Sequence, residues 1–231
     1  AGVSQQGMRL FEQNPGGAPA NLLAAAAKFG MKTAFIGKVG KDMHGDFLKE
    51  TLIRAGINTD NLIQDEKYFT TLAFVSLKEN GEREFAFARK PGADTNLCMK
   101  EIDPEILENT RVFHVGSLSL TDDPSRTATY EAINIARNSG AVISYDPNYR
   151  AALWSDPETA QLRMQSLIPY VDMMKISDEE TSLLTPYQDP EEAIQYLLRQ
   201  GVHLVAVTLG RDGALIGNEN GIIKAEGFSS H

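Results

Sequence analysis

The chain has 231 residues, and 22 lysines and arginines against 31 aspartates and glutamates give it a formal net charge of −9. This acidic balance argues against nucleic acid or an anionic membrane surface as the main partner. No apolar run reaches the roughly 18 to 20 residues that span a bilayer, and the opening residues do not resemble a signal peptide. The single cysteine, Cys98, excludes an internal disulfide and fits a reducing compartment. We therefore expect a soluble, cytoplasmic protein.

Helical and strand patterns alternate along the chain. Residues 19–30 are rich in alanine and end at a glycine, which predicts a helix, and residues 32–37 predict a short strand. The apolar spacing of 44–56 predicts a second helix. Further on, strands are predicted at 111–116, 141–146, 172–176 and 203–209, with helices at 124–140, 162–170 and 190–201. Such alternation is typical of a mostly parallel sheet covered by helices.

Two segments depart from this alternation. Residues 70–77 and 82–88 flank Asn80-Gly81, a strong signal for an antiparallel hairpin. In the second arm, Phe85 and Phe87 alternate with alanines, so one face carries the rings. A hairpin inserted into a parallel protein should project as a lid, as an oligomer interface, or as both. Residues 214–228 predict another hairpin, with its turn at 218–221.

Several common functional motifs are absent from the 231 residues. The sequence contains no G-x-x-x-x-G-K-[ST], no G-x-G-x-x-G, no H-E-x-x-H and no paired-cysteine spacing. Its four histidines are scattered without ligand spacing. This pattern argues against a catalytic metal held by histidines.

The string NPGGAPAN at 14–21 leads into the first predicted helix. Glycines before a helix start allow a ligand to approach the backbone amides, which favour hydroxyl or anionic groups. Asn21 offers both a donor and an acceptor to a polyol. The structural alternative is a glycine loop with a capping asparagine, and the string alone leaves both interpretations open.

Polar strings also follow three of the predicted strands. DPNYR at 146–150 brings Arg150 to a strand end, where ligands of open α/β sheets bind and where arginine could neutralise phosphate. KISDEE at 175–180 fits a capping box from Ser177 to Glu180, and it equally fits a carboxylate near hydrated Mg²⁺. TLGRDGA at 208–214 fits a phosphate-binding turn or a plain connection between strands.

Together, the order and spacing of these strings, with FAFARKPGAD at 85–94, resemble the ribokinase-like (PfkB) carbohydrate kinases over essentially the whole chain. PGGAPAN and DPNYRAALW are most similar to the strings of bacterial fructokinases. The resemblance implies a three-layer α/β/α core with a mostly parallel sheet and a small antiparallel β lid. On this basis, 1–15 and 66–96 form the lid region, and 16–65 and 97–231 form the α/β core.

The resemblance implies ATP-dependent phosphorylation of a sugar hydroxyl, with fructose as the expected sugar. ATP and Mg²⁺ are the implied cofactors, with a monovalent cation such as K⁺, and a homodimer through the β lid is a further expectation. Each matching position then has an implied role. Gly16, Gly17, Asn21, Phe87 and Arg89 would bind the sugar, Arg150 would stabilise the phosphoryl group, Glu180 would reach the metal through water, and Lys175, Ser177, Thr208, Gly210 and Gly213 would line the nucleotide site.

Some family features do not appear in the sequence. Ser177 stands where the family usually has asparagine, which puts its contribution to metal hydration in doubt. No G-A-G-D string occurs, and in the family this motif supplies the anion hole and the aspartate general base. We therefore expect the base, and an opening strand with a sugar-binding aspartate, to lie outside these 231 residues. A kinase for 2-keto-3-deoxygluconate or a ribosyl compound, and a non-catalytic sugar-binding relative, remain the alternatives.

Overall fold

The computed structural model describes residues 2–3, 6–77 and 83–228. The chain divides into two compact units, Ala1–Ile102 and Asp103–His231. The elements of the first unit are β1 (Gly2–Val3), β2 (Arg9–Leu10), α1 (Ala18–Lys28), β3 (Gly37–Gly40), α2 (Met43–Arg54), β4 (Leu62–Asp65), β5 (Leu72–Leu77) and β6 (Arg83–Ala88). Those of the second are α3 (Pro104–Glu108), β7 (Val112–Gly116), α4 (Ser125–Asn138), β8 (Val142–Asp146), α5 (Pro157–Gln165), β9 (Met173–Ser177), α6 (Thr181–Leu184), α7 (Pro190–Arg199), β10 (Leu204–Thr208), β11 (Ala214–Asn218) and β12 (Gly221–Ala225).

The first unit confirms both predicted helices but shifts the predicted strand. The strand begins only at Gly37, whereas 32–37 had been predicted, and it pairs in parallel with β4. Before β3, Ala34 makes an isolated β-bridge to Asn58, which lies in the loop before β4. Strand β4 was not predicted, because its four residues (LIQD) carry too little apolar pattern to indicate a strand.

A buried lysine ties β3 to two acidic residues. The Nζ atom of Lys38 lies 2.7 Å from Asp65 and 2.8 Å from Glu101, and the residue is only 8% exposed. Burial alone would lower the pKa of Lys38, but the hydrogen bonds to these two carboxylates outweigh it and leave the pKa raised. The ion pairs therefore hold the end of β4 and the residues near 101 against β3.

The hairpin predicted around Asn80-Gly81 is present. β5 and β6 form their own antiparallel two-stranded sheet, with Leu72 opposite Ala88, while the turn at 78–82 lies outside the described residues. The rings of Phe85 and Phe87 stack with centroids 6.1 Å apart, which confirms the aromatic face. The hairpin also lines a groove of about 250 Å³ together with Phe11, and Phe74 and Phe85 are each more than 40% exposed there.

A carboxylate at the start of α2 anchors the beginning of this hairpin. Asp42 caps the helix by accepting hydrogen bonds from the backbone N–H groups of His44 and Gly45. The same carboxylate accepts hydrogen bonds from the backbone N–H and the hydroxyl of Thr70, each at 2.9 Å. Thr70 is only 4% exposed, so these hydrogen bonds are shielded from water. Through them, the Asp42 carboxylate links α2 to the segment just before β5.

The second unit is built on a six-stranded sheet in the order β12-β11-β10-β9-β8-β7. Strands β7 to β10 are parallel, and β11 and β12 continue the sheet as the predicted antiparallel hairpin. Each parallel strand lies on the same side of the previous one. Right-handed crossovers therefore place α4, α5 and α7 on one face of the sheet.

Burial alternates along the strands of this sheet. Ile143, Tyr145, Ile176, Val205 and Val207 are fully buried, and they pack in one hydrophobic cluster with residues of α4, α5 and α7. The intervening residues are half-buried or exposed, so they form the opposite face of the sheet. We call this opposite face the mixed face. It carries apolar side chains such as Val142 and Met173 as well as polar ones such as Lys175.

Helix α5 differs from its prediction. It covers Pro157–Gln165, whereas the sequence analysis predicted a helix at 162–170. Asp156 caps its start by accepting a hydrogen bond from the N–H of Thr159 at 2.7 Å, followed by proline at the first helical position. The last predicted residues instead form a separate 3₁₀ turn, Ile168–Tyr170. Across the described ranges, no helix is long and apolar enough to cross a membrane.

Asp42→Asn is expected to lower the free energy of unfolding by about 1–3 kcal/mol, because the amide cannot satisfy all of the donors around Asp42. Burial alone would raise the pKa of Asp42, but hydrogen bonds from Thr70, Gly45 and His44 leave the pKa below its ordinary 3.8. The stabilisation is therefore present above pH 3.8 and is lost as the pH falls through the lowered folded-state pKa.

Denaturant unfolding of wild type and variant between pH 3 and pH 7 measures both effects. Asp189→Asn is the matched control, because Asp189 caps α7 through one backbone N–H, that of Glu192. An Asp42→Asn loss no larger than the control, or the same pH profile as wild type, would contradict this account.

Candidate active site

The polar string before α1 lies in the first unit. Gly17 is the N-cap residue of α1, Gly16 precedes it, and both glycines are exposed. Asn21 lies inside the helix, where its backbone N–H donates to the carbonyl of Gly17 at 3.0 Å. In the part of the chain that the structure describes, no side chain caps this helix start, so Asn21 is not the capping residue of the structural alternative. Its exposed side-chain amide is available to a ligand.

The other two residues assigned to the sugar follow each other along β6 and just beyond it. Phe87 is half-buried and stacks on Phe85. Arg89 is buried, and its Nε atom donates to Asp94 at 2.8 Å while its Nη2 atom lies 2.7 Å from the same carboxylate oxygen. No local pattern in the sequence identifies Asp94 as the partner of Arg89.

Asp146 and Lys175 meet on the mixed face of the second unit. The register of β8 and β9 places them side by side near the carboxyl ends of their strands, with Lys175 Nζ 3.3 Å from Asp146 Oδ2. Burial raises the pKa of the Asp146 carboxyl, and the nearby Lys175 only partly opposes this shift. The pair brings a half-exposed ammonium group to this edge of the sheet.

Ser177 and Glu180 form the predicted capping box. Glu180 Oε2 accepts hydrogen bonds from the backbone N–H of Ser177 at 2.8 Å and from its hydroxyl at 3.0 Å. Glu180 Oε1 accepts a further hydrogen bond from the backbone N–H of Tyr149 at 2.7 Å. The carboxylate is only 6% exposed, and these donors use three of its roughly four acceptor sites. The capping role is therefore confirmed.

Arg150 lies in the loop after β8. It is exposed, and its Nη1 atom donates to the carbonyl of Tyr149 at 2.8 Å. The turn before it depends on Asn148, whose φ of +45° lies in the left-handed region that asparagine tolerates. The N–H of Asn148 donates to Asp146 Oδ1 at 3.1 Å. Asp146 thus contacts both Lys175 and the loop that carries Arg150.

The glycine-containing string follows β10. Thr208 lies opposite Ser177 in the parallel register, and its hydroxyl donates to the carbonyl of Ile176 at 3.3 Å. Gly210 begins a short 3₁₀ turn, and a Cβ added there would meet nothing within 4 Å. At Gly213, by contrast, a Cβ would lie 2.0 Å from the carbonyl oxygen of Ala225. Close packing against the end of β12 therefore explains Gly213 without a ligand.

The sequence analysis missed a histidine on the mixed face. His114 on β7 lies directly beside Ser144 on β8, and its Nδ1 atom is 2.9 Å from the Ser144 hydroxyl. Burial lowers the pKa of His114, although the charge of Asp146 partly opposes the effect. Since His114 occupies the middle position of a five-residue strand, the alternation of that strand could have placed it on this face.

Among the residues that the structure describes, no group of three or more His, Cys, Asp or Glu side chains could hold a metal ion directly. The acceptor site left on Glu180 fits a contact through a metal-bound water, which is how Mg²⁺ commonly meets protein carboxylates.

Comparison with known proteins places the chain in a family. The model of the pfkB family carbohydrate kinases matches residues 3–231, so the chain belongs to this family. Among curated proteins it is 41% identical over 214 residues to fructokinase-1 of Zea mays, and 39% identical to probable fructokinase-5 of Arabidopsis thaliana. Each alignment covers 92% of this chain and 66% of the relative, so the chain spans less than two thirds of their length.

Solved structures give the same fold. The fructokinase of Xylella fastidiosa superposes with a TM-score of 0.89 at 32% identity, covering 97% of this chain and 72% of that one. A Vibrio cholerae O395 fructokinase solved with fructose, ADP and calcium gives 0.84 at 35% identity, covering 94% and 70%. These matches confirm the predicted ribokinase-like α/β fold with its mostly parallel sheet and small antiparallel sheet.

Proposed function

We propose that the complete gene product carrying these residues transfers a phosphoryl group from ATP to a hydroxyl of fructose. The observation that carries the proposal is the polar edge of the second unit, where Asp146, Lys175, Ser177 and Thr208 follow one another across three adjacent parallel strands. Ligands of open α/β sheets bind at this edge. The family match supports the class of reaction, and the fructokinase relatives support the sugar.

In this proposal the first unit supplies the sugar contacts. The exposed amides at Gly16 and Gly17 and the side chain of Asn21 hydrogen-bond the sugar hydroxyls, because each offers a donor at an open helix start. Phe87 packs its ring against the carbon skeleton. Arg89 lies two residues after Phe87, just beyond β6, and orients the sugar through the ion pair with Asp94.

The second unit supplies the nucleotide contacts. Lys175, Ser177, Thr208, Gly210 and Gly213 line the nucleotide site, and the exposed Arg150 guanidinium neutralises charge on the transferred phosphoryl group. Of the two glycines, Gly210 is the better candidate for close approach, because Gly213 is already explained by its packing against Ala225.

Glu180 contributes to a hydrated Mg²⁺ through its remaining acceptor site. When bound, Mg²⁺ offsets the charge on the phosphates, and a monovalent cation such as K⁺ is a further cofactor in this proposal. The neighbouring structures solved with calcium and with potassium are consistent with both ions. No G-A-G-D string occurs among the 231 residues, so the proposal assigns proton abstraction to none of them.

We also propose that the protein acts in the cytoplasm and pairs through the β5–β6 hairpin. The observation behind the pairing is the exposure of Val75 and Phe85, which are paired across the two strands and therefore share one face of the hairpin. An exposed apolar face of this kind favours association.

The direct test is ATP-dependent phosphorylation of a sugar panel by the complete gene product, with Mg²⁺ present. We expect fructose to give the highest kcat/KM, and Arg150→Gln to lower kcat by about 10²-fold because a charge-stabilising group is lost. Arg199→Gln is the control, since Arg199 is an exposed arginine at the end of α7.

Each alternative has its own outcome in this assay. A higher kcat/KM for 2-keto-3-deoxygluconate or a ribosyl compound than for fructose would identify that compound as the substrate. Sugar binding without turnover would identify a non-catalytic relative. An Arg150→Gln enzyme as active as the Arg199→Gln control would remove Arg150 from the phosphoryl site.

Asn21→Ala is expected to lower kcat/KM for fructose about ten- to hundredfold while the KM for ATP stays unchanged. The substitution removes one hydrogen bond to the sugar, and the loss of such a bond costs about 1–3 kcal/mol when it is shielded from water. Asn138→Ala, at an exposed helical position of α4, is the matched control. Equal effects on fructose and ATP would argue against a sugar contact at Asn21.

Pairing through the hairpin predicts a dimer at micromolar concentration, measured by sedimentation. Phe85→Glu should convert it to a monomer, because the charge would be buried in the apolar contact. Leu162→Glu on α5, at a more exposed apolar position outside the hairpin, should leave the dimer intact. A monomeric wild type, or a dimer that survives Phe85→Glu, would refute this pairing.

A further inference from the structure

A second carboxylate clasps the base of the β5–β6 hairpin. Thr71 and Arg89 are the residues just outside the first strand pair, Leu72 and Ala88. One oxygen of Asp94 accepts a hydrogen bond from the Thr71 hydroxyl at 2.5 Å. The other accepts from Arg89 Nε at 2.8 Å. Asp94 therefore joins both strands of the hairpin and neutralises Arg89 at the same time.

The loop that carries Asp94 is fixed closely against this pair. Ala93 is fully buried, and its backbone N–H donates to the carbonyl of Phe69 at 2.8 Å. A Cβ at Gly92 would lie 2.2 Å from the Thr71 hydroxyl and 2.6 Å from the Asp94 carboxylate. Only glycine permits this approach, so the string Pro91-Gly92-Ala93-Asp94 holds the carboxylate in place.

The two charges of the pair are not equally accessible. The Arg89 side chain is 5% exposed, whereas that of Asp94 is 37% exposed. The carboxylate is therefore the charge of this pair that is more accessible to a ligand arriving from solvent. A sugar hydroxyl can donate a hydrogen bond to a carboxylate, while a carboxylate ligand would be repelled by it.

We propose that Asp94 is a specificity-determining residue that makes the site select neutral sugars over sugar acids. It does so by neutralising the Arg89 charge that would otherwise attract an acid, and by presenting its own negative charge to the ligand. This inference rests on the proposed sugar kinase function and deepens it, because it separates fructose from 2-keto-3-deoxygluconate by their charge.

The test compares kcat/KM for fructose and for 2-keto-3-deoxygluconate in the complete gene product. Asp94→Asn, which removes the charge with almost no change of shape, should raise the ratio of acid to neutral sugar about ten- to hundredfold. Arg89→Gln removes the positive charge that neutralises Asp94 and should lower the same ratio. Opposite shifts from the two partners cannot come from general loss of structure. Asp60→Asn, an exposed aspartate of the same unit, should leave the ratio within about twofold of wild type.

A wild-type measurement covers the case in which Asp94→Asn does not fold. Gluconate and glucitol have the same six-carbon chain and differ in the carboxylate, so their inhibition of fructose turnover reports the charge preference directly. We expect the inhibition constant of gluconate to exceed that of glucitol by about tenfold or more, by the same like-charge argument. Gluconate inhibition as strong as that of glucitol would overturn the proposal.

The outcomes separate this inference from the proposed function. Absence of ATP-dependent turnover with every sugar would refute the kinase function and this inference with it. Fructose turnover with an unchanged acid-to-neutral ratio in Asp94→Asn, or the same direction of change in Asp94→Asn and Arg89→Gln, would refute the role of Asp94 alone.

Discussion

One buried carboxylate determines the arrangement of the polar edge of the six-stranded sheet. Glu180 accepts hydrogen bonds from the backbone of Tyr149, beyond β8, and from the backbone and hydroxyl of Ser177, at the end of β9. A buried carboxylate without donors would be strongly destabilising. The requirement for these donors therefore fixes the loop after β8, which carries Arg150, against the turn after β9.

The elements with strong local signals could be predicted from the sequence. Helices α1, α2, α4 and α7 lie where alanine content, apolar spacing and terminal glycines predicted them, and β7 to β10 agree within one or two residues. The Asn80-Gly81 turn located the β5–β6 hairpin. The candidate site followed from the same information, because the carboxyl ends of neighbouring parallel strands must meet at one edge.

Other features depend on partners that are distant or weakly marked in sequence. Strand β3 begins at Gly37, where its pairing with β4 begins. The sequence did not indicate this start, because the four residues of β4 carry little apolar pattern. The family resemblance implied a sugar contact for Arg89, but no local pattern indicated that Asp94 neutralises its charge. Likewise the string at 208–214 gives no sign that Gly213 packs against Ala225. In each case the deciding contact joins residues that no local pattern relates.

The carboxylates of Glu180 and Asp94 are satisfied in physically different ways. Glu180 is satisfied by N–H and O–H groups, which are neutral, so its formal charge is not cancelled. Asp94 is satisfied in part by the Arg89 guanidinium, so that pair carries no net charge. An uncancelled carboxylate suits a hydrated cation, whereas a neutral pair suits an uncharged polyol. The choice of donor around each carboxylate, rather than the carboxylate itself, therefore determines which kind of ligand each position favours.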